Sequence, residues 1–200
     1  MSDAIPFIEL GFRHIVARDA ADHLLFLLAL AAIYRRTEWR ALVWVATAFT
    51  AGHSLTLVLS VTGLLVLPRA LVEFLIPVTI VLTGLENVAR RARIASGGAT
   101  RHRPIAAAVF GLVHGAGFAD YLRSLFVDRI AWPLFGFNVG IEMGQLLVLL
   151  LAFLAFAIVD RTLARAPVTA IRRAPFQARL VGVSAAVSAV AATWAWARWP

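Results

Sequence analysis

The chain has no cysteine and no lysine among its 200 residues. Without cysteine there are no disulfides, no thiolate metal ligands and no cysteine nucleophile, and the redox compartment is left open. Without lysine, all nineteen basic side chains are arginine, against eleven acidic ones. Charge of any sign is scarce: 15% of residues are charged, where a soluble domain carries about a quarter. A secretory leader is also not apparent, because "MSDAIPFIELGFRHIVARD" begins acidic and has no long apolar h-region.

What fills the chain instead is apolar: 61% hydrophobic residues and a mean hydropathy of +0.83. Several runs reach the roughly 20 residues needed to cross a bilayer. A soluble fold would need about six all-apolar helices in one small core, so the sequence reads as one integral membrane domain over residues 1–200. Backbone groups in lipid must be satisfied within the segment, which makes the runs helices. The expected fold is an all-α bundle of six transmembrane helices, over about residues 12–34, 40–64, 70–89, 104–126, 133–159 and 179–198.

Arginine punctuates these runs. One loop holds Arg35, Arg36 and Arg40. Another holds Arg90, Arg91, Arg93, Arg101 and Arg103. A third holds Arg161, Arg165, Arg172, Arg173 and Arg179. The loops between carry few. The positive-inside rule then puts the rich loops in the cytoplasm and both termini outside, N-out and C-out. Residues 90–103 read as a cytoplasmic Arg-rich linker. Because the arginines lie between apolar runs, the high pI reflects topology rather than nucleic-acid binding. Trp194, Trp196 and Trp199 read as an interfacial anchor.

The opening of the first span, "DAADHLLFLLAL", places Asp19, Asp22 and His23 at i, i+3 and i+4 on one helical face. At a rise of roughly 1.5 Å per residue, His23, His53, His114 and Glu142, from four spans, fall near one depth. Asn138, Glu142 and Gln145 share a face. Thr47, Thr50 and Ser54 form a stripe with His53 at its edge, and Thr79, Thr83, Glu86 and Asn87 form another. Ionisable side chains inside a membrane face the bundle interior or a water-filled path. Gly136, Gly140 and Gly144, and Gly111 and Gly115, form ridges for close helix packing.

Imidazoles with carboxylates and no sulfur suit a divalent transition metal such as Ni, Co, Zn or Cu(II). His23, His53 and His114 are candidate nitrogen ligands, with Asp22 and Glu142 completing the sphere and Asn138 and Gln145 supporting it. Glu73 and His14 near the outer face, and Glu86 near the inner, are candidate mouth and exit groups. Simpler readings stand beside these. A lone intramembrane histidine often only bonds a neighbouring helix. Asp19 suits an N-cap with Asp22 in the capping-box position. Glu73 suits the first turn of its helix. His102 reads as solvated in an Arg-rich loop. Two other classes use the same residues. One is an intramembrane zinc hydrolase, with Ser54 beside His53 and zinc activating water. The other is a haem protein with His53 and His114 as axial ligands.

Five stretches, in order, carry a resemblance: "GFRHIVARDAADHLLFLLAL", "FTAGHSLTLVLS", "VEFLIPVTIVLTGLENV", "FGLVHGAGFA" and "FNVGIEMGQLLVL". Together, over residues 9–150, they resemble the HupE/UreJ family of bacterial membrane proteins. The resemblance implies a secondary permease in a bacterial inner membrane that moves nickel, with cobalt the next candidate, and has no ATPase domain. It implies roles for His14, Asp22 and His23, the family's histidine and Asp-His signature, for Glu73, and for Asn138 with Glu142. Seven residues separate His14 from Asp22, more than the family spacing. On a continuous helix His14 would not share the face of Asp22 and His23, so either a turn intervenes or His14 has lost its role. The partners expected are the lipid bilayer and the metal ion, with a homo-oligomer left open and no nucleic acid.

Overall fold

A computed structural model describes residues 5–17, 20–97, 102–118 and 131–200. Among these, every regular element is a helix. In chain order they are α1 (Ile5–Val16), α2 (Ala21–Ala31), α3 (Trp39–Val61, after a 3-10 turn Arg36–Glu38), α4 (Arg69–Ala89), α5 (Arg91–Ala95), α6 (Arg103–Ala116), α7 (Ala131–Leu163), α8 (Thr169–Arg173) and α9 (Pro175–Ala197). Four of them, α3, α4, α7 and α9, are long and apolar enough to cross a membrane.

Two expected spans take a different form. The first is not one helix over 12–34. It is broken between Val16 and Ala21, where the sequence places the charged pair Arg18 and Asp19. The fourth ends at Ala116 rather than near residue 126, and residues 119–130 lie outside the described set. The stretch read as a linker is helical at Arg91–Ala95, with Ile94 buried. The remaining boundaries fall close to expectation. Gly63, at φ 78°, takes the left-handed turn that ends α3. Proline in the first turn starts α6 and α9. Pro77 lies inside α4, which continues through it.

Glycine decides how closely the helices approach. A Cβ on Gly11 would overlap the Phe137 carbonyl, and one on Gly140 would overlap the Ile8 carbonyl. This runs α1 beside the first half of α7 in the same direction. A Cβ on Gly52 would strike the Ala108 carbonyl, one on Gly111 the Phe49 carbonyl and one on Gly115 the His53 carbonyl. These contacts join α3 to α6 backbone to backbone. α4 and α9 run antiparallel, with Gly84 against Ser184 and Ser188 and Phe74 against Trp199. Lipid tails are as apolar as leucine, so close packing rather than water exclusion holds such pairs. Phe26, Phe49 and Phe137 fill the centre at 0–1% exposure. Leu150, Leu151, Leu154 and Ile158 of α7 face outward.

The Arg-rich connections meet at one end of the bundle. Arg35 donates to the Ala95 carbonyl and stacks on Phe176. Arg179, 3% exposed, donates to Asp160 (2.8 Å) and to the Ala32 carbonyl (3.0 Å), tying α9 to α7 and to the end of α2. Charge-assisted bonds of this kind stabilise by about 1.5–3 kcal/mol each. Arg179→Ala is therefore expected to lower stability by about 2 kcal/mol, read as a drop in the thermal unfolding midpoint in detergent.

Candidate metal centre

The break after Val16 sets the geometry of the site. It lets α1 end and α2 restart at a new angle, so His14, in the last turn of α1, meets His23, in the first turn of α2. Their ring centroids are 4.7 Å apart. His53 of α3 joins them at 5.9 and 6.0 Å. One ring nitrogen from each of His14, His23 and His53 lies within 4.8 Å of the others. His114 of α6 stands beside His23 at 5.2 Å. Four of the five histidines thus converge, from four helices. The turn that the long spacing left open is present, and His14 is in the cluster.

The unpaired nitrogens are the informative feature. His14 Nε2, His23 Nε2, His53 Nδ1, His53 Nε2 and His114 Nδ1 are all buried without a hydrogen-bond partner. Buried polar atoms are normally bonded, and leaving one unbonded is unfavourable by about 1–3 kcal/mol. A group of such nitrogens pointing at one another fits a cation. His23 is oriented by Asp22, whose Oδ1 is 3.0 Å from Nδ1 and also accepts the His23 backbone N–H at 2.8 Å. This directs Nε2 toward the cluster, as carboxylates commonly do for metal-binding histidines. Asp22 therefore stands behind His23. Thr79 donates its hydroxyl proton to the Ile76 carbonyl (2.7 Å), so its oxygen accepts from His114 Nε2 (3.0 Å). That leaves Nδ1 of His114 with its lone pair free. The α1 and α6 helices both end near the cluster, His14 and His114 lying in their last turns, and helix C-termini favour a cation. Phe118 and Phe137 stack beside His14 and shield it.

A cavity of about 730 Å³ leads to this cluster, lined by His14, Asp22, His23 and His114 at its inner end and by Arg13, Glu73 and Arg198 toward its mouth. Glu73 is half-buried and paired with Arg69 at 2.6 Å.

Several of the other expected site residues have their own partners. Glu142 is engaged by hydroxyls of α3. Its two carboxylate oxygens accept from Thr47 (2.6 Å) and Thr50 (2.8 Å), which places it between α7 and α3. Gln145 is fully buried and Asn138 half-buried, with Gln145 Oε1 and Nε2 and Asn138 Oδ1 unbonded. Ser54 donates to the Thr50 carbonyl of its own helix (2.7 Å). Asp19 lies outside the described residues. Glu86 is at the Arg-rich end, where His102, Arg90 and Arg103 all approach it. His102 is therefore paired with Glu86 rather than simply solvated.

A family model described as HupE / UreJ protein matches residues 1–198, essentially the whole chain. No curated protein and no solved structure gives a match.

Proposed function

Because the chain belongs to the HupE/UreJ family, a family associated with nickel and cobalt transport, we propose that it is a secondary permease for a divalent transition-metal cation, with nickel the first candidate and cobalt the second. One observation carries this reading. Imidazoles from four helices converge with unbonded ring nitrogens, and three of them, His14, His23 and His114, line a cavity that also reaches Glu73 and Arg198. Three or four imidazole nitrogens make a borderline-soft site suited to such ions. Transport needs ligands that can replace water without trapping the ion.

In this reading α1 and α2 are the two halves of a broken span. Broken helices that present their ends to a cation are a recurring device in transporters. With α6 they bring the bundle to six crossings in a bacterial inner membrane. The Arg-rich end faces the cytoplasm and the Glu73 mouth faces outward. His14, His23 and His53 hold the ion, His114 joins them and Asp22 orients His23. The test is nickel and cobalt uptake by liposomes containing the purified protein. Uptake is expected well above that of empty liposomes, and uptake equal to background would sink the proposal.

A trio of histidines is also a catalytic zinc set, which keeps the hydrolase reading alive. Against it, Ser54 is bonded to its own helix and Asp22 is engaged with His23, so neither is placed as a spare base or nucleophile. Elemental analysis separates the two readings. A permease is expected to purify with far less than one zinc per chain, and tightly held stoichiometric zinc would favour the hydrolase.

A further inference from the structure

The cavity lining includes His23 and His114 but not Thr79, Thr83, Glu86 or Asn87, yet polar side chains continue from His114 along α4. On α4, Thr79 bonds His114, Thr83 bonds the Thr79 carbonyl, and Asn87 lies one turn further on. All three are buried, at 5%, 2% and 0% exposure. The stripe ends at Glu86, where Arg90 (3.1 Å), His102 and Arg103 (3.5 Å) converge on one carboxylate.

Arg103 is the unusual member. It is 2% exposed, yet its Nε and one terminal nitrogen, Nη2, make no hydrogen bond. Arg179 is equally buried and shows how an arginine is held when its role is structural, with a short bond to a carboxylate and another to a backbone carbonyl. A guanidinium has five donors in a fixed fork, and burying some of them unbonded is unfavourable. Arg103 is held beside Glu86 chiefly by charge. A second cation at Glu86 would weaken that hold directly.

We infer that Arg103 plugs the exit of the transport path: a resident cation on Glu86 that closes the Arg-rich end and yields when a metal cation reaches the carboxylate. The inference rests on the permease reading for the identity of the arriving cation. Arg103 is also the first residue of α6, the helix that carries His114. Displacement of the plug and the state of the imidazole cluster are therefore linked through one short helix.

The absence of cysteine makes the test direct, since Thr83→Cys introduces the only thiol. The full-length protein in detergent is treated with a positively charged methanethiosulfonate, and the labelling rate is measured. Thr83→Cys alone is expected to react slowly. Adding Arg103→Met should raise the rate about tenfold or more, because labelling of a buried thiol follows the population of the open form. Glu86→Gln, which removes the anion holding the plug, should act in the same direction. Arg103→Lys should stay slow, and Arg179→Ala, which lowers stability without touching Glu86, sets the rate that destabilisation alone produces and that Arg103→Met should exceed. Equal rates with and without Arg103→Met, in proteins that elute as folded, would overturn the plug. So would failure of both Arg103→Met and Glu86→Gln to fold, since Arg103 would then be a structural residue like Arg179. The assay needs no metal. Fast labelling of the Met variant in a protein that transports nothing would retain the gate and remove the permease.

Discussion

His23→Ala is expected to abolish nickel and cobalt binding and, with it, uptake into liposomes. The substitution removes the one imidazole that faces all three others and is held by a carboxylate. Loss of a group that only supports a metal ligand lowers affinity by roughly 10–100-fold, and loss of a ligand should exceed this. Titration of the purified protein with each metal reads the effect. His53→Ala should behave likewise, since both His53 ring nitrogens are buried and unbonded. Glu142→Gln supplies the contrast. Glu142 is tied to Thr47 and Thr50, so the amide is expected to leave binding within a few-fold of the parent. Equal losses in Glu142→Gln and His23→Ala would mean that the carboxylate is a ligand after all.

Gly111→Leu should prevent the bundle from assembling. Even a single Cβ at this position would run into the Phe49 carbonyl and the His53 backbone nitrogen. Overpacking a well-filled interior typically destabilises by about 1–3 kcal/mol. A collision with backbone, which cannot rotate away, belongs at or beyond the top of that range. The same face carries His53 and His114, so the damage reaches the cluster by displacing two helices. The expected outcome is little or no protein in the membrane fraction, or a sharply lowered unfolding midpoint. Gly182→Ala is the control, because nothing lies within 4 Å of the added carbon there. Comparable yields for the two variants would show that the α3–α6 contact tolerates separation.

Much of this organisation could be read from the residues. Hydropathy located the long helices, because a lipid-crossing segment must be both helical and apolar. The small-residue ridges on α6 and α7 marked surfaces that do meet backbone closely. His23, His53 and His114 were recognisable as a group because each is a costly residue at a similar depth. The sequence could not reveal that His14 belongs with them, because the answer depended on where a helix breaks. Arg18 and Asp19, adjacent in an otherwise apolar stretch, were the available sign. The partners of Glu142 were not legible for a related reason: Thr47 and Thr50 meet it only through the way α7 packs on α3. Arg103 was counted as one loop arginine among several. Its burial arises only when α4 and α6 close around Glu86, a tertiary event that no local pattern records.

The interruption between α1 and α2 has a mechanical consequence. His14 rides on α1, which is locked to α7 through Gly11 and Gly140, whereas His23 rides on α2, which packs on α4 and α9 as well as on α7. Two imidazoles nine positions apart in the chain are thus carried on different bodies. If those bodies shift by an ångström or two, the number of nitrogens within reach of one ion changes. Coordination number would then be a mechanical variable, and the grip on the ion could be loosened by sliding one helix past another with no change in the protonation of any ligand.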